Sequence, residues 1–156
     1  MRFAAAVVAC LFVAQAENTA HAQEMGVLRN LSENTFAPVP GLPSCITLAM
    51  ESGDSAKGPS VMIFKGTAGC VVPRHWHTPT EHVLIVNGSA KVEMDGGKTA
   101  VLGPGGYAMM PSKHVHRFTC PSACLAFVTS DAAFDIHYVD ENGKELSPEA
   151  ALASKK

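Results

Sequence analysis

The residues best equipped for chemistry stand in one stretch, Gly69-Cys70-Val71-Val72-Pro73-Arg74-His75-Trp76-His77-Thr78-Pro79-Thr80-Glu81, which continues to Gly88. In a β-rich context His75 and His77 point to the same face of a strand, because side chains alternate with a period of two. One strand therefore offers two imidazoles together. Glu81 follows just beyond the Thr78-Pro79-Thr80 turn, so a chain folding back there brings a carboxylate beside the histidines. Far downstream, Pro111-Ser112-Lys113-His114-Val115-His116 places another histidine after a second turn, within reach of the same centre from a separate strand. Three imidazoles and one carboxylate suit a single borderline divalent ion, with positions left for water or substrate.

The elements that must position these groups read as short strands separated by turns. With 13 glycines and 10 prolines set between short apolar runs, the chain suits a turn-rich all-β protein. Residues 45–51 and 61–65 are apolar runs suited to strands, separated by a loop at 52–60. In residues 81–86, Glu81, Val83 and Ile85 share one face and His82, Leu84 and Val86 the other. Both faces are largely apolar, which predicts a strand covered on both sides, one of them by a second sheet or subunit. Asp95-Gly96-Gly97 marks a hairpin, Gly103-Pro104-Gly105-Gly106 turns the chain into residues 107–110, and His116, Phe118 and Cys120 share a face. Residues 124–129 and 133–140 read as two further strands. Residues 147–152 resemble a short helix with Pro148 at its first position, and Ser154-Lys155-Lys156 is expected to fray.

The spacing of these residues resembles the cupin superfamily. The first stretch reads G-x5-H-x-H-x3-E-x6-G through Gly69, His75, His77, Glu81 and Gly88, which matches the first cupin motif throughout. The second reads G-x5-P-x-K-x2-H-x3-C through Gly105, Pro111, Lys113, His116 and Cys120. It is similar to the second cupin motif, with Lys113 where glycine is usual and Cys120 where asparagine is usual. A lysine at a turn position built for glycine tolerates positive φ poorly. The resemblance implies an antiparallel double-stranded β-helix, the jelly-roll barrel, with one divalent transition metal ion (iron, manganese, copper, nickel or zinc) held inside by His75, His77, Glu81 and His116. It leaves the reaction open, because such barrels serve dioxygenases, isomerases, decarboxylases, lyases and non-enzymatic binding modules.

A chain of 156 residues is ordinarily one domain. The expected organisation is a signal peptide at 1–22, an extended lead-in at 23–43, the barrel at 44–140 and a C-terminal tail at 141–156. The signal reading rests on Met1-Arg2, an apolar run over residues 3–14, and Ala20-His21-Ala22 as a small-x-small cleavage site, with Ala14-Gln15-Ala16 an earlier alternative. The apolar run is shorter than the roughly 20 residues a membrane span needs, so no membrane association is expected after cleavage. The mature protein is expected to be secreted or periplasmic. A formal net charge of −2 gives no basic excess that would favour nucleic acid. Removing Cys10 with the signal leaves Cys45, Cys70, Cys120 and Cys124, an even number in an oxidising compartment. Three connectivities are open. A Cys120–Cys124 bridge across a hairpin, with Cys45–Cys70 as the remaining pair, is the one set against four buried thiols.

Other groups have weaker claims. Met62, Phe64, Tyr107, Met109, Phe118 and Phe127 are candidates for an apolar substrate pocket, or else ordinary core. His114 and Tyr107 are the candidates for an acid or base. Trp76 should face away from its histidine neighbours, His82 should point away from Glu81, and His137 stands in a late strand without evident partners. Arg74 and Arg117 flank ligand positions and either bind an anionic substrate or face solvent. Neither a Ser-His-Asp set nor a phosphate-cradling glycine loop is present, so the chemistry should rest on the metal. The expected function is a metal-dependent oxidoreductase of the dioxygenase type, acting on a small oxygenated or aromatic molecule. The alternatives are a non-catalytic binding or sensing module and a metal-dependent isomerase or lyase. A homodimer is expected from the doubly apolar strand at 81–86 and from the resemblance.

Overall fold

The computed structural model describes residues 26–153. The signal-peptide reading of residues 1–22, the start of the lead-in at 23–25 and the fraying of 154–156 lie outside the described residues. Among the described residues eleven strands form: β1 (Ile46–Gly53), β2 (Ser60–Gly66), β3 (Cys70–Trp76), β4 (Glu81–Asn87), β5 (Ala90–Met94), β6 (Thr99–Leu102), β7 (Tyr107–Met110), β8 (His116–Cys120), β9 (Cys124–Ser130), β10 (His137–Val139) and β11 (Glu145–Leu146). A single helical turn at Leu31–Glu33 precedes them and a short helix, α1 (Pro148–Ala153), follows. Among the described residues no helix is long and apolar enough to cross a membrane.

The strands make two antiparallel sheets, ordered β1-β2-β9-β4-β7 and β11-β10-β3-β8-β5-β6. This is the jelly-roll barrel, with sequential strands exchanged between the sheets and the core between them. Alternation explains it locally. In β9 every second residue from Cys124 to Ser130 is buried, and in β8 His116, Phe118 and Cys120 point inward while Arg117 and Thr119 do not. Phe64 of β2 meets Phe118 of β8 edge-on across the core, centroids 5.3 Å apart, an arrangement that aromatic quadrupoles favour.

Two disulfides, Cys45–Cys70 and Cys120–Cys124, staple one end of the barrel. Cys70 and Cys120 are register partners on β3 and β8, so the two bridges are neighbours. The lead-in is laid along the barrel edge: Ala37 bridges Leu48 of β1, and the Tyr138 hydroxyl donates to the Gly41 carbonyl at 2.8 Å. The tail also joins the structure, because β11 pairs with β10. Pro148 opens α1 as its sequence position implies, with the Ser147 hydroxyl accepting from the Ala150 amide at 3.2 Å.

The expectation for residues 133–140 needs correction. Only His137–Val139 is a strand, and residues 131–136 form a loop over the barrel mouth. Their backbone is drawn away from sheet pairing by the segment after β3. Asp131 and Asp135 carboxylates accept from the Thr80 and Thr78 amides at 2.9 and 2.7 Å.

Candidate metal centre

Three of the four proposed ligands come from neighbouring strands of one sheet, and the fourth from the opposite sheet. His75 of β3 is the register partner of His116 of β8. His77 stands one residue beyond the end of β3, and Glu81 opens β4 across the Thr78-Pro79-Thr80 turn. The second turn is tied to the first segment: the Lys113 amide donates to the His77 carbonyl at 2.8 Å and the Ser112 hydroxyl to the Thr78 carbonyl at 2.5 Å. Lys113 adopts φ +61°, and among the described residues no other non-glycine residue has a positive φ. The turn thus keeps the geometry that glycine normally serves, with a lysine accepting the strain.

All four side chains are buried, with His116 only 1 % exposed and Glu81 7 %. Each imidazole spends its Nδ1 proton on a backbone carbonyl: His75 on Pro73 at 2.6 Å, His116 on His114 at 2.9 Å, and His77 on Asp135. A carbonyl only accepts, so each Nδ1 carries the hydrogen and each neutral ring presents an Nε2 lone pair. One ligand atom from each histidine lies within 4.8 Å of the other two. The Glu81 Oε2 sits 3.3 Å from His116 Nε2 and 3.5 Å from His77 Nε2.

Electrostatics fit the same reading. Burial, with the neighbouring His116 and His77, holds His75 well below the ordinary histidine value. Burial also lowers His77, against the pull of Glu81 and the Asp135 carbonyl. Burial works against the charge of Glu81, but His77 and His116, in the forms that carry a proton on Nε2, outweigh it and leave its carboxyl below the usual range. The buried Nε2 of His77 has no hydrogen-bond partner. A lone pair and a carboxylate oxygen facing each other out of water repel, and a buried acceptor without a donor is costly. A cation among these donors removes both faults. Nitrogen and oxygen donors of this kind suit a first-row divalent ion, in the coordination chemistry of imidazole and carboxylate.

The cavity at the centre has a volume of about 60 Å³. Met62, Phe64 and Phe118 line it, together with Leu42, Phe134 and Ile136. Tyr107, Met109 and Phe127 do not, and this is a correction. In the register of the five-stranded sheet Phe127 and Tyr107 flank Leu84, and Met109 stands opposite His82. All belong to the outward face, where Tyr107 is 56 % exposed and its hydroxyl bonds His82 Nδ1 at 2.6 Å. Tyr107 is therefore no acid or base for this cavity. Nor does the His114 side chain line it; His114 contributes only its carbonyl to His116.

Other residues acquire definite roles. Trp76 faces away from the ligands and stacks on His137, rings 3.9 Å apart and nearly parallel. His137, expected to lack partners, also lies 3.3 Å from Asp135 and 3.6 Å from Glu145. Arg74 makes a two-pronged ion pair with Asp95, which takes it out of substrate binding. Sequence reasoning missed Phe134, which stacks on His77 with centroids 4.4 Å apart, and the Asp135 carbonyl. The signal was the pair of aspartates bracketing Ala132-Ala133-Phe134, a loop composition within an assumed strand.

Fold and spacing converge on one family. The cupin domain model matches residues 62–129, so the chain carries a cupin domain over that stretch. Among solved structures, the polyketide cyclase RemF from Streptomyces resistomycificus superposes with a TM-score of 0.63 at 19% identity, over 76% of this chain and 90% of that one. An RmlC-like cupin from Shewanella frigidimarina gives a TM-score of 0.58 at 17% identity, over 77% and 97% of the two chains. The DMSP lyase DddQ from Ruegeria pomeroyi gives 0.55 at 19% identity, over 74% and 61%. At these identities the likeness speaks for the fold alone. No curated protein matches the sequence.

Proposed function

We propose that this protein is an exported, metal-dependent oxidoreductase of the dioxygenase type, acting on a small oxygenated or aromatic organic molecule. The observation that carries the reading is the composition of the cavity wall. The polar side chains lining it are His75, His77, Glu81 and His116, and every other lining residue is apolar. Hydrolysis, isomerisation and elimination need a positioned group to move a proton, and no side chain outside the ligand set offers one. A redox-active ion bound there would supply dioxygen activation and polarisation of a substrate oxygen. The protein's own part is to present neutral Nε2 lone pairs, hold the Glu81 charge against them, and keep bulk water out with Phe64, Phe118 and Phe134.

The test is oxygen uptake by protein loaded separately with iron, manganese, copper or nickel, across a panel of phenols and diketones. Uptake with at least one metal, and none with zinc, is the expected result. Absence of uptake with all four sinks the proposal.

A second reading is favoured by one feature: the three histidine nitrogens cluster as a set of their own, with Glu81 beside two of them. If the histidines alone suffice as ligands, Glu81 is free to take a proton, and a metal-dependent lyase or cyclase becomes the function. Glu81→Gln separates the two. Lost metal content supports the carboxylate as ligand, whereas full metal content with lost turnover supports it as base.

Export and pairing belong to the proposal. The two disulfides support an oxidising compartment, which N-terminal sequencing of the mature protein would test at Gln23. Leu84, Val86, Tyr107 and Met109 are each more than a third exposed on the outer face of β4 and β7, an apolar face that supports pairing of two copies.

A further inference from the structure

The cavity at the metal centre is small, about 60 Å³. That is well below the volume usual for small-molecule sites. Beside it lies a second cavity of about 420 Å³, within the range of about 300–1,000 Å³ for small-molecule sites. Leu42, Leu48, Met62, Phe134 and Ile136 line both, so the two are separated only by side chains with one face on each. One wall of the larger, partly open cavity is the lead-in, through Ala37, Val39 and Pro40. It is anchored to β1 by the Ala37–Leu48 bridge, by Arg29 on the Met50 carbonyl at 2.7 Å and by Asn34 on Glu51 at 2.6 Å, and to β10 by the Tyr138 bond to the Gly41 carbonyl at 2.8 Å.

The chamber's chemistry is nearly all hydrocarbon. Its polar side chains are Ser55 and Asp135, and Asp135 is committed, its carboxylate to the Thr78 amide at 2.7 Å and to His137 at 3.3 Å. An anionic ligand body would find no counter-ion there, and the one carboxylate is already shared between two partners. A single hydroxyl could orient an otherwise apolar body.

We propose that the substrate has two parts: a compact oxygen-donor head that reaches the histidine cluster, and an uncharged aromatic or alkyl body that fills the chamber against residues 37–42. The head's placement rests on the metal-centre reading above; the chamber stands on its own volume and lining. Specificity for the body is then set by the lead-in and by β1, outside the two sequence motifs.

The experiment is calorimetric titration of zinc-loaded protein with straight-chain hydroxamic acids from acetyl to octanoyl, together with Val39→Trp and Met50→Trp. Both positions line the chamber and not the metal cavity. Burying each added methylene should tighten binding about 4-fold until the chamber is full. Each tryptophan should flatten that rise while zinc content and acetohydroxamate affinity stay at wild-type levels. A flat series in the wild-type protein that still binds acetohydroxamate overturns the chamber and leaves the metal centre standing. If neither zinc nor acetohydroxamate binds, the metal-centre reading fails instead, and n-octanol with metal-free protein decides the chamber. Binding that both tryptophan variants abolish upholds it, and no binding overturns it.

Discussion

Lowering the pH should destabilise the metal-free protein through its own ligands. His75 and His77, each 3 % exposed, are held below the ordinary histidine value of 6.5 by burial. Between the native values and 6.5 the unfolded chain therefore binds more protons than the folded one. Stability rises with pH across that window and is lost as pH falls below 6.5. One histidine that stays neutral only when folded gives up to about 1.4 kcal/mol per pH unit, and two give about 2.7 kcal/mol. By pH 5.5 the loss is up to about 3 kcal/mol, a large share of the roughly 5–15 kcal/mol available to a domain. Glu81, whose carboxyl is lowered from 4.5, adds a further loss of the same sign in more acidic solution. The assay is urea unfolding of chelator-treated, disulfide-intact protein at pH 7.5, 6.5 and 5.5, beside His75→Gln/His77→Gln. A steep acid loss in the wild type that flattens in the double variant is expected. Equal stability across the window, or an unchanged slope in the variant, refutes the reasoning.

Three further outcomes follow from particular residues. Gly88→Ala should destabilise the fold by more than about 3 kcal/mol in urea, since a Cβ there would meet the Ala123 carbonyl oxygen at 1.8 Å and φ is +74°. Lys113→Gly should leave stability equal or raise it by up to about 1 kcal/mol, relief of the left-handed conformation being partly offset by glycine's greater freedom when unfolded; a clear fall in melting temperature would contradict this. Leu84→Asp/Met109→Asp should shift sedimentation at micromolar concentration from dimer to monomer, and a wild-type monomer would refute pairing across the outer face of β4 and β7.

The fold was legible because both motifs fix strand, turn and strand in register, and because β8 and β9 alternate without interruption. The histidines were legible for the same reason: a period of two and a turn suffice to bring His75, His77 and Glu81 together. What alternation cannot give is which face turns inward when both are apolar. Tyr107, Met109 and Phe127 therefore read from sequence as pocket or core, although the register with Leu84 and His82 turns them outward. The loop at 131–136 was illegible for another reason. Its backbone follows the amides of Thr78 and Thr80, contacts some fifty residues away in sequence, and no local pattern records them. Lys113 shows the reverse case, in which a residue that disfavours a conformation is held in it by its bond to the His77 carbonyl.

Elemental analysis of the untagged protein purified from its native compartment, beside His77→Ala and His116→Ala, tests the central claim most directly. The account predicts close to one iron, manganese, copper or nickel ion per chain in the wild type and almost none in either folded variant. Zinc alone would keep the site while moving its role to Lewis-acid chemistry or binding. A wild type without metal, or variants that retain it in full, would contradict the claim that these histidines form a metal centre.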